Sequence, residues 1–186
     1  MPIEGEYLGM PLAISDLDKE NRAYFEFCAQ GEFRLQQGRS SGLLRYPPST
    51  ACPWSRDREY DWVPVEGKGA VHSYTEVHHA IQPAFRAHTP YLILLVDLDT
   101  QLGEPTEHEA LRVAGNLVTA DGELAPPELV EQVGIGTRVT MVLVPAGGST
   151  TGGSAEGFDH GPPLAIPNWM IDTDADQPAD VWRYPD

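Results

Sequence analysis

Proline and glycine restrict this chain more than any other feature, because 17 prolines and 18 glycines interrupt its 186 positions. Proline removes a backbone donor and ends helices, while glycine supplies the conformations that tight turns need. Their density predicts short strands joined by turns and long loops, and it argues against a helical bundle. Hydrophobic residues still make up 41% of the chain, which is enough for a real core. We expect one mostly β domain, alone or with appendages.

A series of apolar segments rich in β-branched residues begins at Trp62 and predicts a small closed sheet. Residues 92–96 are apolar on both alternations, so we expect a central strand that is covered on both faces. A helix over residues 128–133, with early acidic residues and Gly134 at its end, is predicted where an OB-fold barrel places one. The five predicted strands are 63–65, 70–80, 91–99, 111–119 and 137–145.

The two ends of the chain are predicted to be appendages. Residues 1–32 should form a helical arm, because Leu17, Tyr24, Phe25 and Cys28 fall at helical spacing between positions 14 and 30. Cys28 lies on the apolar stripe and should act as a small buried hydrophobe. Residues 146–186 begin with a run of Gly, Ser and Thr and then carry many acids, so we expect a flexible linker and a mobile acidic tail. The tail also has apolar residues that could dock on the barrel or on a partner: Ile166, Trp169, Met170, Ile171, Trp182 and Tyr184.

Charge argues against several classes of function. With 12 basic and 28 acidic residues the net charge is −16, so binding to nucleic acid is not expected. Residues 34–68 are the exception, since they hold six basic and four acidic residues and are therefore +2. No apolar run approaches the ~20 residues of a membrane span, and we expect a cytoplasmic protein. Two cysteines are too few for a disulfide framework.

Two turns within residues 33–62 resemble the knuckles of a zinc ribbon that has altered ligands. The first reads Gly38-Arg-Ser-Ser41-Gly and the second Cys52-Pro-Trp-Ser55, where a ribbon has C-x-x-C at both places. Further motifs follow in order: Trp62-Val-Pro-Val-Glu-Gly67-Lys-Gly69, then Pro90-Tyr91, then Ile135-Gly136. Over roughly residues 24–144 the chain is similar to the family in which a rubredoxin-like zinc ribbon precedes an acyl-CoA-associated OB-fold, known as domain of unknown function 35.

The resemblance implies a ribbon at 33–62, an OB-fold at 63–145 and a role as a partner of other proteins. Members of this family accompany thiolase-type enzymes. By resemblance, the chain is a non-catalytic accessory subunit of a thiolase, acyltransferase or retro-aldolase in lipid or steroid metabolism, and it meets acyl-CoA only indirectly. The helix and ribbon would form the partner surface of a hetero-oligomer, with these contact residues: Tyr24, Leu43, Leu44, Tyr46 and Trp54. The basic residues that could meet CoA phosphates are Arg39, Arg45 and Lys68.

The ligand positions of the ribbon depart from the family pattern. They would be Gly38, Ser41, Cys52 and Ser55, and only one of the four is a thiol. A structural zinc site needs four ligands in a tetrahedron, usually Cys and His, so we expect neither zinc nor any other cofactor. Structural zinc can contribute ~10–16 kcal/mol to the folding of a small ribbon. Other interactions, within the chain or with a partner, must therefore hold this segment.

The candidates for catalysis are His78, His79 and Asp97. Adjacent histidines in a strand point to opposite faces and cannot easily bind one metal, so surface or half-buried histidines are the simpler interpretation. The sequence has no nucleophile elbow and no phosphate-binding loop. The alternative functions are a stand-alone acyl-CoA hydratase or aldolase, and an OB module for single-stranded nucleic acid, which the charge disfavours.

Overall fold

The computed structural model describes residues 2–147 and 164–184. The chain begins with an antiparallel hairpin of β1 (Ile3–Tyr7) and β2 (Met10–Ile14), followed by α1 (Lys19–Ala29). Asp18 caps this helix, since its side chain accepts a hydrogen bond from the Asn21 amide at 3.1 Å. The helix starts later than the predicted position 14, because residues 10–14 pair with β1 instead. Only the second half of the predicted arm is therefore helical.

The ribbon segment, residues 33–62, contains most of a small antiparallel sheet. Its strands are β3 (Arg34–Gly38), β4 (Leu44–Arg45) and β5 (Tyr60–Pro64), in the order β4-β3-β5. Val63 lies opposite Leu35 in β3. The first strand that we predicted for the barrel, 63–65, thus belongs mainly to the ribbon sheet.

The barrel is a five-stranded antiparallel sheet, and the protein is mostly β with an OB-fold domain, as predicted. Its strands are β6 (Lys68–Val77), β7 (Tyr91–Leu98), β8 (Arg112–Asn116), β9 (Arg138–Ala146) and β10 (Leu164–Ile171), in the order β10-β9-β6-β7-β8. A 3₁₀ helix (Pro83–His88) precedes β7, and α2 (Pro127–Val130) lies between β8 and β9 where a helix was predicted. The two edges meet just beyond β8, where Val118 donates a backbone hydrogen bond to Trp169 at 2.7 Å.

The fifth strand comes from the segment that we expected to be a mobile tail. Leu164–Ile171 pairs with β9 over eight residues, and Trp169 is fully buried in the main core. Pro167 interrupts the strand pattern in sequence, but β10 is an edge strand, where a missing backbone donor is tolerated. The predicted flexible run of Gly, Ser and Thr lies almost entirely outside the described residues.

The inner face of β7 forms the centre of the core. Leu92, Leu94, Val96 and Leu98 have no exposed surface, which agrees with the predicted central strand. The alternate residues are less covered, and Ile93 is 39% exposed. The expected cover on both faces is therefore present on only one face among the described residues.

Within residues 2–147 and 164–184, no helix is both long enough and apolar enough to cross a membrane.

Candidate functional site

The two turns of the ribbon share one backbone geometry. In the first turn (38–42) the Gly42 amide donates to the Gly38 carbonyl at 2.8 Å, and in the second turn (52–56) the Arg56 amide donates to the Cys52 carbonyl at 2.9 Å. The donor residue has a positive φ in both, 71° at Gly42 and 62° at Arg56. A non-glycine residue in this region costs about 1–2 kcal/mol. The backbone of two matching turns is thus present although the ligand side chains differ from those of a zinc ribbon.

Asp57 joins the two turns. Its Oδ2 accepts hydrogen bonds from the backbone amides of Ser40 and Ser41 at 2.9 and 3.1 Å, and from their hydroxyls at 2.6 and 3.3 Å. The hydrogen bond from the Ser40 hydroxyl is the main reason that the pKa of Asp57 lies below its usual range. On the other side, the Asp57 carbonyl accepts from the Cys52 amide at 2.7 Å.

The donor set of the turns does not fit zinc. Cys52 is the only sulfur ligand at the four ligand positions, and the two serines at 40 and 41 direct their donors toward Asp57. Within residues 2–147 and 164–184 no three His, Cys, Asp or Glu side chains converge in a way that could hold a metal ion. Hydrogen bonds to Asp57 connect the two turns instead.

A buried arginine supports the ribbon from inside. Arg45 is 1% exposed, and its guanidinium donates to Gln36 Oε1 at 2.9 Å, the Ser49 carbonyl at 2.8 Å and the Asp57 carbonyl at 3.1 Å. The same group lies 4.5 Å from the centre of the Tyr60 ring, a cation–π distance. Arg45 is therefore a structural residue, and its predicted contact with CoA phosphates is corrected because its donors are used within the fold.

The other two basic candidates are exposed but paired. Arg39 forms two hydrogen bonds with the Asp61 carboxylate, at 2.7 and 3.0 Å. The Lys68 ammonium lies 3.5 Å from Glu66 and 3.8 Å from Asp172. The pairs of Arg39 with Asp61 and of Lys68 with Glu66 are surface pairs, which are worth little, so Arg39 can turn toward an added phosphate, whereas a move of Lys68 would also leave the buried carboxylate of Asp172.

The predicted contact residues divide into a buried and an exposed group. Tyr24 and Leu44 are only 2% and 6% exposed, because they pack in the core of this chain and leave almost no surface for a partner. Leu43 and Tyr46 are half-buried. Trp54 is 40% exposed on the second turn.

The exposed part of the second turn combines an aromatic ring with two positive charges. Trp54, Arg56 and Arg58 all lie at the surface, and neither arginine forms an ion pair within the described ranges. We call these three residues the ribbon tip. The sequence predicted Trp54 as a contact residue but did not group it with Arg56 and Arg58, because the exposure of the arginines depends on how the turn folds.

A shallow cleft separates the end of α1 and the start of β3 from the barrel. It has a volume of about 360 Å³ and is lined mainly by apolar or small residues: Gly31, Phe33, Val65, Gly67, Thr140, Met141 and Leu143. A side chain at Gly67 would meet Met141, with only 2.6 Å between the two Cβ atoms. Since no lining residue titrates near neutral pH, the cleft can hold an apolar group but supplies no acid or base.

The catalytic candidates do not come together. His78 lies 3.4 Å from Glu76, and His79 is exposed at the end of the barrel strand. Asp97 instead contacts His72, with 2.9 Å between Asp97 Oδ2 and His72 Nδ1, and Arg112 lies 2.9 Å from the other carboxylate oxygen. A register irregularity between residues 71 and 73 lies at His72, and such a feature is hard to find in sequence. None of these residues lines the cleft.

Part of the barrel matches a known family model. Residues 62–144 match the family model described as ChsH2, C-terminal OB-fold domain. The match begins within β5 and ends within β9, so it does not include β10. The match thus covers the middle of the chain, and the ribbon, arm and final strand lie mostly or wholly outside it.

Two curated proteins are similar to this chain over part of their length. A probable enoyl-CoA hydratase alpha subunit of Thermomonospora curvata is 32% identical over 102 residues, which cover 55% of this chain and 28% of that protein. A DUF35 domain-containing scaffold protein of Methanocaldococcus jannaschii is 28% identical over 86 residues, 46% of this chain and 54% of that protein. The chain therefore spans about a quarter of the first relative and about half of the second.

A solved structure is similar over nearly all of its matched chain. A chain of the Ltp2-ChsH2(DUF35) aldolase superposes with a TM-score of 0.59 and 25% identity. The similarity covers 84% of this chain and 98% of that chain. It therefore extends well beyond residues 62–144.

Proposed function

We propose that this chain is a non-catalytic accessory subunit that binds a thiolase-superfamily acyl-CoA enzyme and helps to form or stabilise its acyl-CoA site. The observation that carries the proposal is the likeness to a chain of an aldolase assembly over 98% of that chain. A scaffold protein among the relatives supports the same role. The enzyme would be a thiolase, an acyltransferase or a retro-aldolase, and the assembly a cytoplasmic hetero-oligomer.

In this proposal the parts of the chain have separate tasks. The arm at 1–32 and the ribbon at 33–62 face the enzyme, while the OB-fold at 63–145 borders the path of the acyl-CoA. Residues 164–171 complete the barrel through their pairing with β9. After β10, the Arg183 guanidinium donates to the Val130 and Val133 carbonyls at 2.6 Å each and so holds the acidic segment on the barrel, which leaves the linker role to the segment between β9 and β10.

The ribbon tip is the contact that we propose for the enzyme. Trp54 offers a half-exposed ring at an otherwise polar turn, and aromatic and arginine side chains are common at the energetic centres of interfaces. Arg56 and Arg58 are positive in a chain of net charge −16, so an acidic surface on the enzyme would select this end of the molecule. Leu43 and Tyr46 are half-buried and would extend the contact.

The apolar cleft is the place that we propose for part of the acyl group. Its walls come from the ribbon side and from β9, so a subunit docked by the ribbon would bring the cleft near the enzyme. Arg39 and Lys68 remain candidates for contacts with CoA phosphates, after exchange of their present carboxylate partners. The reacting groups would come from the enzyme.

Co-expression with a thiolase-type enzyme from the same genome tests the proposal. Size-exclusion chromatography with light scattering should show a complex, and the enzyme should gain activity on acyl-CoA in the complex. Trp54→Ala should weaken binding at least about tenfold, the usual loss for an aromatic at the centre of an interface. Trp182→Ala is the matched control, because Trp182 is an exposed tryptophan far from the ribbon in sequence. Turnover of acyl-CoA by the isolated chain would contradict the proposal.

The second candidate is an acyl-CoA hydratase activity, which the hydratase subunit among the relatives favours. The nearest acid–base arrangement is the His72–Asp97 pair. If the chain itself hydrates enoyl-CoA, His72→Ala should abolish the reaction while the fold persists. An unchanged rate in that variant would assign the activity to a partner.

A further inference from the structure

The four hydrogen bonds to Asp57 give the centre of the ribbon the opposite electrostatic polarity to that of a zinc site. A zinc ribbon directs lone pairs of thiolates and imidazoles inward toward a cation. Here the first turn directs two consecutive backbone amides and two hydroxyls inward, and an anion lies at their focus. Successive amides in a turn form a concave site for anions. A cation placed there would meet the positive ends of four dipoles.

The Asp57 carboxylate also occupies the space of the first ligand. A Cβ atom built on Gly38 would lie 2.7 Å from Asp57 Oδ2 and 2.8 Å from Ser41 Oγ. Contacts under 3.0 Å are essentially not seen for real Cβ atoms, so no side chain at 38 fits while the carboxylate is in place. Glycine at this ligand position is therefore explained by the carboxylate that fills it.

The same residue reaches the second turn through its backbone. The Cys52 amide and the Arg45 guanidinium both donate to the Asp57 carbonyl, at 2.7 and 3.1 Å. Asp57 thus connects the first turn, the second turn and the buried arginine. A metal that binds two knuckles makes the same kind of cross-link.

We propose that the first turn is an anion-binding site whose resident ligand is the Asp57 carboxylate, and that this internal anion replaces a metal ion as the cross-link of the ribbon. The ribbon tip directly adjoins Asp57 in the chain, so its geometry is fixed without any metal. The site should accept a small free carboxylate when Asp57 is removed. It should reject divalent cations as long as Asp57 is present.

The first test removes the carboxylate from the full chain. In Asp57→Ala the Ser40 and Ser41 amides should exchange with solvent about tenfold faster or more in NMR hydrogen exchange, because their acceptor is gone. Added formate should restore part of the protection, and chloride at equal ionic strength should not. Asp61→Ala is the matched control, since Asp61 is another carboxylate of the ribbon that pairs only with Arg39 among these contacts. Equal protection in wild type and Asp57→Ala would overturn the proposal.

The second test asks whether Asp57 excludes zinc. The triple variant Gly38→Cys, Ser41→Cys, Ser55→Cys has a thiol at all four ligand positions, because Cys52 is already present. Competition with a colorimetric chelator should show at least about tenfold tighter zinc binding when Asp57→Ala is added to this variant, as the carboxylate no longer blocks position 38. Equal zinc affinity with and without Asp57 would contradict the exclusion. One equivalent of zinc retained by the wild-type chain would overturn the whole inference.

Discussion

Trp169 offers the sharpest test of how the barrel is completed. It lies on β10, is fully buried, and pairs in register with Met141 of β9. Its carbonyl accepts from Val118, and its ring approaches Gly115, where a Cβ would lie 3.0 Å from Trp169 Cδ1. If β10 is an integral strand, truncation of this side chain should destabilise the entire barrel. If residues 164–171 were a loosely docked tail, the same change would have little effect.

The expected magnitude follows from burial and hydrogen bonding. Replacement of a buried tryptophan by alanine typically costs about 3–5 kcal/mol of unfolding free energy, through lost apolar burial and a cavity. One term partly offsets this loss, because the buried Nε1 of Trp169 has no hydrogen-bond acceptor among the described residues, and such a group costs about 1–3 kcal/mol. Trp169→Phe removes that cost and keeps most of the ring, so we expect it to destabilise by no more than about 1–2 kcal/mol.

Urea unfolding, followed by far-UV circular dichroism, measures both changes. Trp182→Ala is the control, because Trp182 is 51% exposed and its ring packs on the exposed ring of Tyr184, so its loss should stay below about 1 kcal/mol. The predicted order of destabilisation is therefore Trp169→Ala, then Trp169→Phe, then Trp182→Ala. A loss below about 1 kcal/mol for Trp169→Ala would refute the integral strand.

Three further predictions concern charge and thiol chemistry. Arg45→Lys should destabilise by about 2–4 kcal/mol in urea unfolding, because an ammonium cannot reproduce three fixed hydrogen bonds, whereas Arg39→Lys on the surface should change little. The hydrogen bond from Arg138 holds the pKa of Asp99 below its ordinary value of 3.8. Asp99→Asn should therefore lower the melting temperature at pH 7, where Asp99 is ionised, but not at a pH below the pKa of Asp99 in the folded protein. An equal decrease at both pH values would contradict this. Burial raises the pKa of Cys28 to about 12, so only about 1 in 10⁴ of these thiols is ionised at pH 8. Cys28 should therefore resist iodoacetamide in native buffer at this pH. Rapid labelling, measured by mass spectrometry, would contradict the buried position.

Much of the fold follows from local sequence patterns. The continuous apolar run of β7, the β-branched residues of β6 and β9, and the proline start of α2 each specify their element through nearby residues alone. The Gly42 turn is equally local, since only a few residues decide its backbone. These patterns predicted a mostly β protein with a small closed sheet, and the resemblance to a known family added the expectation of an OB-fold and of a ribbon at 33–62.

The prediction of the candidate site was less complete, because its members are far apart in sequence. Asp97, His78 and His79 were named as separate catalytic candidates, and the structure brings Asp97 into contact with His72, which was not among them. Arg45 looked like a basic surface residue, yet the ribbon sheet encloses it with Gln36 and Ser49. A side chain's neighbours across a sheet depend on register, which a single sequence specifies only weakly when both faces are mixed.

The amino-acid sequence alone determined that only one of the four ligand positions, Cys52, holds a thiol, because a ligand set is a matter of residue identity at known spacing. Only the tertiary structure decided what replaces the missing ligands, since Asp57 reaches Ser40 across 17 positions of the chain. The same holds for β10. Its residues resemble an appendage in sequence, and only the structure shows that they pair with β9 and that Trp169 packs in the core. The residue types in the sequence limit which interactions can exist. Which of them form depends on long-range packing, because the burial of a residue depends on every element that surrounds it.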